Sequence, residues 1–170
     1  LINALVQSKR FGEALAVADR VGKDPAKKTA SLIYRGGILF SQHDNAGAEA
    51  AFNKAVAGDP KSASALSARA GFLASMQRRD EAMRDFRSVV AIDGKNVPAL
   101  LQISQIAERQ GDDRTVRAML NQAIMAQPGN LTPRFALINY LNNQRKFSEA
   151  QAAVGEVLRL QPNNTDALGV

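Results

Sequence analysis

The chain has 170 residues, of which 45% are hydrophobic, and its 22 Lys and Arg outnumber its 16 Asp and Glu, for a formal charge of +6. It contains no cysteine, which excludes disulfides and cysteine-ligated metal sites and leaves the redox compartment open. No stretch approaches the ~18 to 20 consecutive apolar residues that a membrane span needs, so we expect no direct membrane insertion by these residues.

The two ends of the chain both lie inside helical patterns. Residues 1–6 carry no initiating Met, and residues 169–170 fall in the last pattern. We therefore expect a fragment of a longer protein, with any signal peptide or lipid anchor upstream of it.

Apolar positions recur every 34 residues along the chain. Three sets of equivalent positions are spaced i, i+4 and i+7, which is one face of a helix, here named helix B. The sets are Ala14, Ala48, Ala82, Val116 and Ala150; Ala18, Phe52, Phe86, Leu120 and Val154; and Val21, Ala55, Val89, Ala123 and Val157.

A second helix in each repeat, helix A, is marked by two further apolar sets. They are Leu32, Leu66, Leu100 and Leu168, interrupted by Arg134, and Leu5, Leu39, Leu73, Ala107 and Leu141. The pattern predicts a single array over 1–170: a partial repeat at 1–28, repeats at 29–62, 63–96, 97–130 and 131–164, and the start of a sixth at 165–170.

Small residues and helix signals complete each repeat. A mostly small set lies between the two helix A sets, and it predicts that Gly36 lies against Ala48. Ser62, Asn96, Asn130 and Asn164 are expected to cap helix A, because their side chains can accept hydrogen bonds from first-turn amides. No segment alternates with period 2, so no strand is predicted.

The succession Gly36, Leu39, Ala48, Phe52, Ala55 and Pro60 resembles the tetratricopeptide repeat pattern, and the resemblance covers the whole chain. It departs from that pattern in lacking Trp and in placing Ile at two small positions. The resemblance implies an all-α fold, a right-handed α-solenoid of antiparallel helix pairs that forms a superhelix. It also implies that the helices A line a concave groove that binds a peptide or a protein segment.

The ligand-contacting places of this family, carried onto the present sequence, give the candidate groove residues. They are Tyr34, Gly37, Phe40, Ser41, Ser67, Gly71, Gln102, Gln105, Arg109, Phe135, Asn139, Asn142 and Asn143. Tyr34 and Phe40 beside small residues predict an apolar depression, whereas the amides can pair with a peptide backbone. The alternative is that Ile33 and Phe40 fill core space between repeats.

The sequence offers no catalytic or metal site, so we predict that the chain is not an enzyme and needs no cofactor or metal. His43 is the only histidine and falls in a turn, which leaves too few ligands for a transition metal. The charges around Asp85 and Arg84 are expected to form exposed ion pairs of little value. Nucleic acid is not an expected partner, because Arg109 is the only base among the groove places.

The predicted function is therefore a protein-interaction scaffold. The alternatives are a regulatory array of a larger enzyme and a nucleic-acid-binding repeat protein. Residues 127–137, 147–150 and 160–164 also resemble bacterial repeat lipoproteins of exopolysaccharide and PEP-CTERM protein-sorting systems. That resemblance implies a periplasmic or membrane-anchored protein, although a cytoplasmic one stays open.

Apolar residues at both ends are expected to be exposed, since no polar capping helix is present, and they predict end-to-end self-association or poor solubility of the isolated chain. They are Leu1, Ile2 and Leu5 at one end and Leu168 and Val170 at the other.

Overall fold

The computed structural model describes the backbone of residues 1–168 and the side chains of residues 1–167. Over that range the chain is helical, with one 3-10 turn at Pro25–Lys27 and no strand. The chain divides into two compact units, the first spanning Leu1–Ile92 and the second beginning at Asp93. The predicted all-α fold of paired helices is confirmed. None of the described helices is both long and apolar enough to cross a lipid bilayer.

The first unit consists of helices that pack in consecutive pairs. The pairs are α1 (Ile2–Gln7) with α2 (Phe11–Val21), α3 (Lys28–Ser41) with α4 (Asn45–Gly58), and α5 (Ala63–Ser75) with α6 (Arg79–Ile92). The helix B positions predicted as core are buried, Phe52 and Phe86 among them, with the exception of Val21, which is half-buried. Because one pair cannot bury its apolar face alone, α3 also contacts α5, and α4 contacts α5.

The second unit follows the same plan. Its helices are α7 (Val97–Gln110), α8 (Asp113–Ala126), α9 (Thr132–Asn143), α10 (Phe147–Leu160) and the short α11 (Thr165–Leu168). Val116 and Leu120 of α8 and Ile138 of α9 are almost fully buried. Helices α7 and α9 contact each other as α3 and α5 do, which brings two helices A side by side.

Every turn from helix A to helix B has the same backbone conformation, and it recurs every 34 residues. The residues with positive φ are Lys9, His43, Gln77, Gly111 and Arg145. In the second turn the amide of Asp44 donates to the carbonyl of Leu39 and that of His43 to the carbonyl of Phe40, both at 2.9 Å. This is a Schellman motif, which satisfies the last carbonyls of helix A. A left-handed residue therefore ends each helix A whatever its type.

Helix capping follows the prediction with one exception. The side chains of Ser62 and Asn96 accept hydrogen bonds from the amides of Ala65 and Ala99, as predicted. Asn130 is not the cap of α9: it accepts from Thr132 within the preceding turn, and Leu131 occupies the cap position without a side-chain bond. The cap prediction for Asn130 is wrong because the helix starts one residue later than in the other repeats.

The atoms nearest to a Cβ built on Gly36 belong to an aromatic ring, whereas the contact of Gly36 with Ala48 stays a prediction. A Cβ atom built on Gly36 would lie 2.6 Å from Cε1 of Phe52 and 2.8 Å from Cζ of the same ring. Phe52 comes from helix B of the same pair and is buried. Helix α3 can approach α4 this closely only because position 36 has no side chain.

At the amino-terminal end, Leu1 is the large apolar residue that is mostly exposed. Leu1 is 81% exposed, but Leu5 is only 7% exposed and packs with Ala14, Ala18 and Ile38. The prediction that Leu5 is exposed is wrong, because α2 and α3 already cover it. Ile2 is half-buried against the same cluster. Val170 and the side chain of Leu168 lie outside the described residues.

Candidate functional site

The first unit carries six of the predicted groove residues on two helices A that contact each other, and we call this set the α3/α5 face. It comprises Tyr34, Gly37, Phe40 and Ser41 of α3 and Ser67 and Gly71 of α5. The Tyr34 side chain is 44% exposed and Phe40 is 37% exposed. Both rings therefore present part of their apolar surface to solvent.

Two glycines on the α3/α5 face border open space. A Cβ atom added to Gly37 or to Gly71 would meet no atom within 4 Å, apart from the glycine's own neighbours in the helix. Neither glycine is therefore required for helix packing, in contrast to Gly36. Their missing side chains leave open space on this face, and a depression beside Tyr34 and Phe40 stays a prediction.

The Phe40 ring is held in place by aromatic neighbours. It meets Phe72 edge to face, with ring centroids 5.5 Å apart, and Phe72 in turn lies 5.5 Å from Phe52. Such edge-on pairs stabilise ring orientation beyond simple burial. Phe40 thus packs between helices on one side and is exposed on the other. Both interpretations of Phe40, as a core residue and as a groove residue, therefore describe part of its environment.

The second unit contains a cavity of about 220 Å³ between α7 and α9, here called the α7/α9 pocket. Its walls carry Gln105 and Glu108 from α7 and Asn139 and Asn143 from α9. Positions at i, i+3, i+4 and i+7 of both helices contribute, because those positions share one helix face. The Asn143 side-chain amide donates to Glu108 Oε1 at 3.5 Å across the rim.

The floor of the α7/α9 pocket is apolar. Leu101 and Ala136 are half-buried there, and Val116 and Leu120 close it from below. The structure brings together three predicted groove residues in this pocket: Gln105, Asn139 and Asn143.

The remaining predicted groove residues of the second unit lie elsewhere. Arg109 is exposed on α7 and Gln102 is half-buried on the same helix, and neither lines the pocket. Phe135 packs against the cluster of Ile138, Val157 and Ala167. Asn142 lies beside Phe147 at a separate depression.

An ion pair in the first unit is buried, contrary to the expectation of exposed pairs. Arg69 of α5 donates from Nε and Nη2 to Asp85 of α6 at 2.7 and 2.8 Å, and Asp85 is only 7% exposed. Arg69 also donates to Asn53 of α4 at 3.2 Å. The prediction for Asp85 is wrong, because its position on the helix faces α5 and not solvent. Arg69 thereby ties two consecutive pairs together, and the pKa of its guanidinium is raised by the bond to Asp85.

A second polar network lies behind the α7/α9 pocket. Asp113 of α8 accepts hydrogen bonds from the Tyr140 hydroxyl, from Arg117 Nε at 3.2 Å and from Lys146 Nζ at 3.4 Å. The bond from Tyr140 is the main cause that holds the pKa of Asp113 below its ordinary value. Burial, together with the bond to Asp113, raises the pKa of Tyr140 to about 12. The phenol therefore stays protonated and fixes α9 against α8.

Sequence reasoning missed Phe72, Arg69 and Tyr140, which orient the neighbours of both surfaces. Phe72 and Tyr140 share one repeat position with Ile38 and Ile106, a large apolar set in helix A that the 34-residue spacing does show, and Arg69 is matched by Arg35 one repeat earlier. His43 is an exposed turn residue, as predicted. Among the described residues, no group of three or more His, Cys, Asp or Glu could hold a metal ion.

Comparison with known proteins supports the fold over the whole chain. The solved structure of MamA superimposes with a TM-score of 0.76 at 14% identity, covering 98% of this chain and 97% of that one. The solved structure of YrrB, described as a TPR protein with an unusual peptide-binding site, superimposes with a TM-score of 0.70 at 14% identity. The match covers 99% of this chain and 87% of YrrB. Identities this low establish the fold alone.

A sequence relative is the cellulose synthase operon protein C of Pseudomonas fluorescens strain SBW25. The two are 30% identical over 182 aligned residues, which include 99% of this chain and 14% of the relative. The chain thus spans about a seventh of that protein's length. No protein-family model matches the chain. From the recurring helix pairs, the Schellman turn at every thirty-fourth position and the structural matches, we conclude that the chain has the tetratricopeptide repeat fold.

Proposed function

We propose that the chain is a non-catalytic scaffold that binds a segment of another protein on its helices A. The observation that carries this proposal is the α3/α5 face. There Tyr34 and Phe40 remain exposed while Gly37 of the same helix and Gly71 of the neighbouring helix border open space. Aromatic anchors next to an unfilled depression are typical of the residues that dominate binding energy in protein interfaces.

The α7/α9 pocket supports the same proposal with different chemistry. Its side-chain amides at Gln105, Asn139 and Asn143 can each donate and accept, so they can pair with the peptide groups of an extended segment. A peptide in this conformation leaves its own donors and acceptors unpaired and gains from such contacts. The tetratricopeptide fold of YrrB, which has a peptide-binding site, is consistent with this role.

The cellular setting that we propose is a bacterial envelope assembly that makes or exports an exopolysaccharide. The support is the relationship to the cellulose synthase operon protein of P. fluorescens. Removing the segment that encodes this chain should then reduce secreted polysaccharide while the polymerising enzyme remains present. Normal secretion without the segment would contradict this setting.

The binding proposal is tested by replacing glycine with glutamine at two positions, one on the proposed surface and one away from it as the control. Gly71→Gln fills the depression on the α3/α5 face, and Gly155→Gln makes the same change on α10, where a Cβ atom also meets nothing within 4 Å. Both replace glycine within a helix, which favours folding by up to about 1 kcal/mol.

We expect the Gly155→Gln protein to capture its partner from extracts of the producing cell as the wild type does. The Gly71→Gln protein should lose that partner, and Tyr34→Ala should lose it too. Asn139→Ala tests the contribution of the α7/α9 pocket in the same assay. Retention of the partner by all three groove variants would move the binding surface away from the helices A.

A further inference from the structure

We infer that the α7/α9 pocket selects a lysine or arginine side chain of the bound segment. This inference rests on the proposed function and specifies the chemistry of one contact within it. Among the residues that line the pocket, Glu108 carries the one formal charge, and that charge is negative.

The carboxylate of Glu108 is without a cationic partner in the described part of the chain. The other five glutamates all form salt bridges there: Glu13 with Arg10, Glu49 and Glu81 with Arg78, Glu149 with Arg117, and Glu156 with Arg159. Glu108 instead accepts a long bond of 3.5 Å from the neutral amide of Asn143. In a chain with a formal charge of +6, a carboxylate left without a cation at the rim of a cavity is available to a ligand.

The shape of the pocket suits a long basic side chain. Lysine and arginine combine a methylene stem, which packs on apolar surface, with a charged head that needs acceptors. Leu101 and Ala136 supply apolar surface at the floor. The amide oxygens of Gln105 and Asn139, together with Glu108, supply acceptors at the walls and rim. A cavity of about 220 Å³ is below the usual range for a drug-sized ligand, about 300 to 1,000 Å³, and suits a single side chain.

The positive charges near the pocket either form salt bridges or lie outside the pocket lining. Arg117 and Lys146 form salt bridges to Asp113, and Arg117 also pairs with Glu149. Arg109 is exposed on α7 outside the lining. Salt at physiological concentration screens charges beyond ~8 Å, so the contact charge at Glu108 outweighs the net charge of the chain.

The test uses three capped amino acids as probes: the Nα-acetyl N-methylamides of lysine, norleucine and glutamate. Norleucine keeps the stem and lacks the charge. Nitrogen-edited NMR spectra of the chain report binding at the side-chain amides of Gln105, Asn139 and Asn143. We expect saturable shifts with the lysine probe and about tenfold weaker binding of norleucine. The glutamate probe should cause no saturable shift of these amides.

Two glutamate variants assign the effect to one carboxylate. Glu108→Gln should weaken the lysine probe about tenfold and leave norleucine unchanged. Glu156→Gln removes an exposed carboxylate of α10 that lies outside the pocket and should change neither. Equal binding of lysine and norleucine by the wild type, or preference for the glutamate probe, would overturn the inference.

The outcome for this contact is separable from the outcome for the scaffold. If the lysine probe fails while Gly71→Gln still releases the protein partner, only the cation preference is wrong. A different result is that the lysine probe binds through Glu108 while Gly71→Gln, Tyr34→Ala and Asn139→Ala all keep the protein partner. In that case the pocket binds a basic side chain, but the scaffold proposal is wrong.

Discussion

The packing of Gly36 against Phe52 makes a quantitative prediction for the smallest possible substitution. Gly36→Ala would place a Cβ atom 2.6 Å from the Phe52 ring, a distance at which the ring or the helix must shift. The ring cannot move freely, because it is buried and lies against Phe72, which in turn meets Phe40. Overpacking of a core contact costs about 1 to 3 kcal/mol.

The neighbouring residue provides the control. Gly37→Ala adds the same methyl group to the same helix, but it meets nothing within 4 Å. Both substitutions gain about 0.5 to 1 kcal/mol from replacing glycine within a helix. The difference between the two variants therefore isolates the clash: Gly37→Ala should be more stable than wild type, and Gly36→Ala should lie about 1 to 3 kcal/mol below Gly37→Ala.

Urea unfolding followed by far-ultraviolet circular dichroism measures both free energies of unfolding. Repeating the pair in a Phe52→Leu background should shrink the difference, because a smaller side chain leaves room for the methyl group. Equal stabilities of Gly36→Ala and Gly37→Ala in the wild-type background would refute the assigned contact.

Three further substitutions test other parts of the structure. Asp85→Ala should lower the free energy of unfolding by about 2 kcal/mol, because it leaves the guanidinium of Arg69 partly buried without its ion pair; a change within error of zero would place that pair outside the stabilising contacts. Gly111→Ala should cost about 1 kcal/mol, because φ is 74° there, and an unchanged melting temperature would argue against the left-handed turn. In a Tyr34→Phe protein, absorbance of tyrosinate should report a pKa of about 12 for Tyr140, whereas a midpoint near 10 would exclude its bond to Asp113. Since that pKa is raised above the unfolded value, the stabilising effect of Tyr140 is complete below pH 10 and is lost as the pH rises through 12, and Tyr140→Phe should abolish this loss.

The fold could be predicted because its main signal is repetitive. The three helix B sets that mark the repeat are apolar in every copy, so five weak patterns reinforce one another at a spacing of 34. The turn between the helices was not predictable from residue type, since Lys9, His43, Gln77 and Arg145 share a left-handed conformation with Gly111. Backbone hydrogen bonds impose that conformation, and the side chains do not reveal it.

The candidate surfaces were predictable only in part. Tyr34 and Phe40 could be placed from the repeat because they hold fixed positions in helix A. The burial of Asp85 could not, since it depends on the pairing of its carboxylate with Arg69 of another helix, which the repeat spacing does not indicate. The role proposed for Glu108 could not be predicted either. It depends on the lack of a cationic partner among the described residues, which the residue type at position 108 does not indicate. The boundaries of the individual repeats stay a prediction.

The claim that the helices A hold a protein segment is tested most directly by photocrosslinking in the cell that produces the protein. A photoreactive amino acid is introduced at Gly71 on the α3/α5 face or at Gly155 on α10, both helical glycines that border open space. We predict a covalent adduct with a second protein from position 71 and none from position 155. Adducts from position 155 alone would contradict the account.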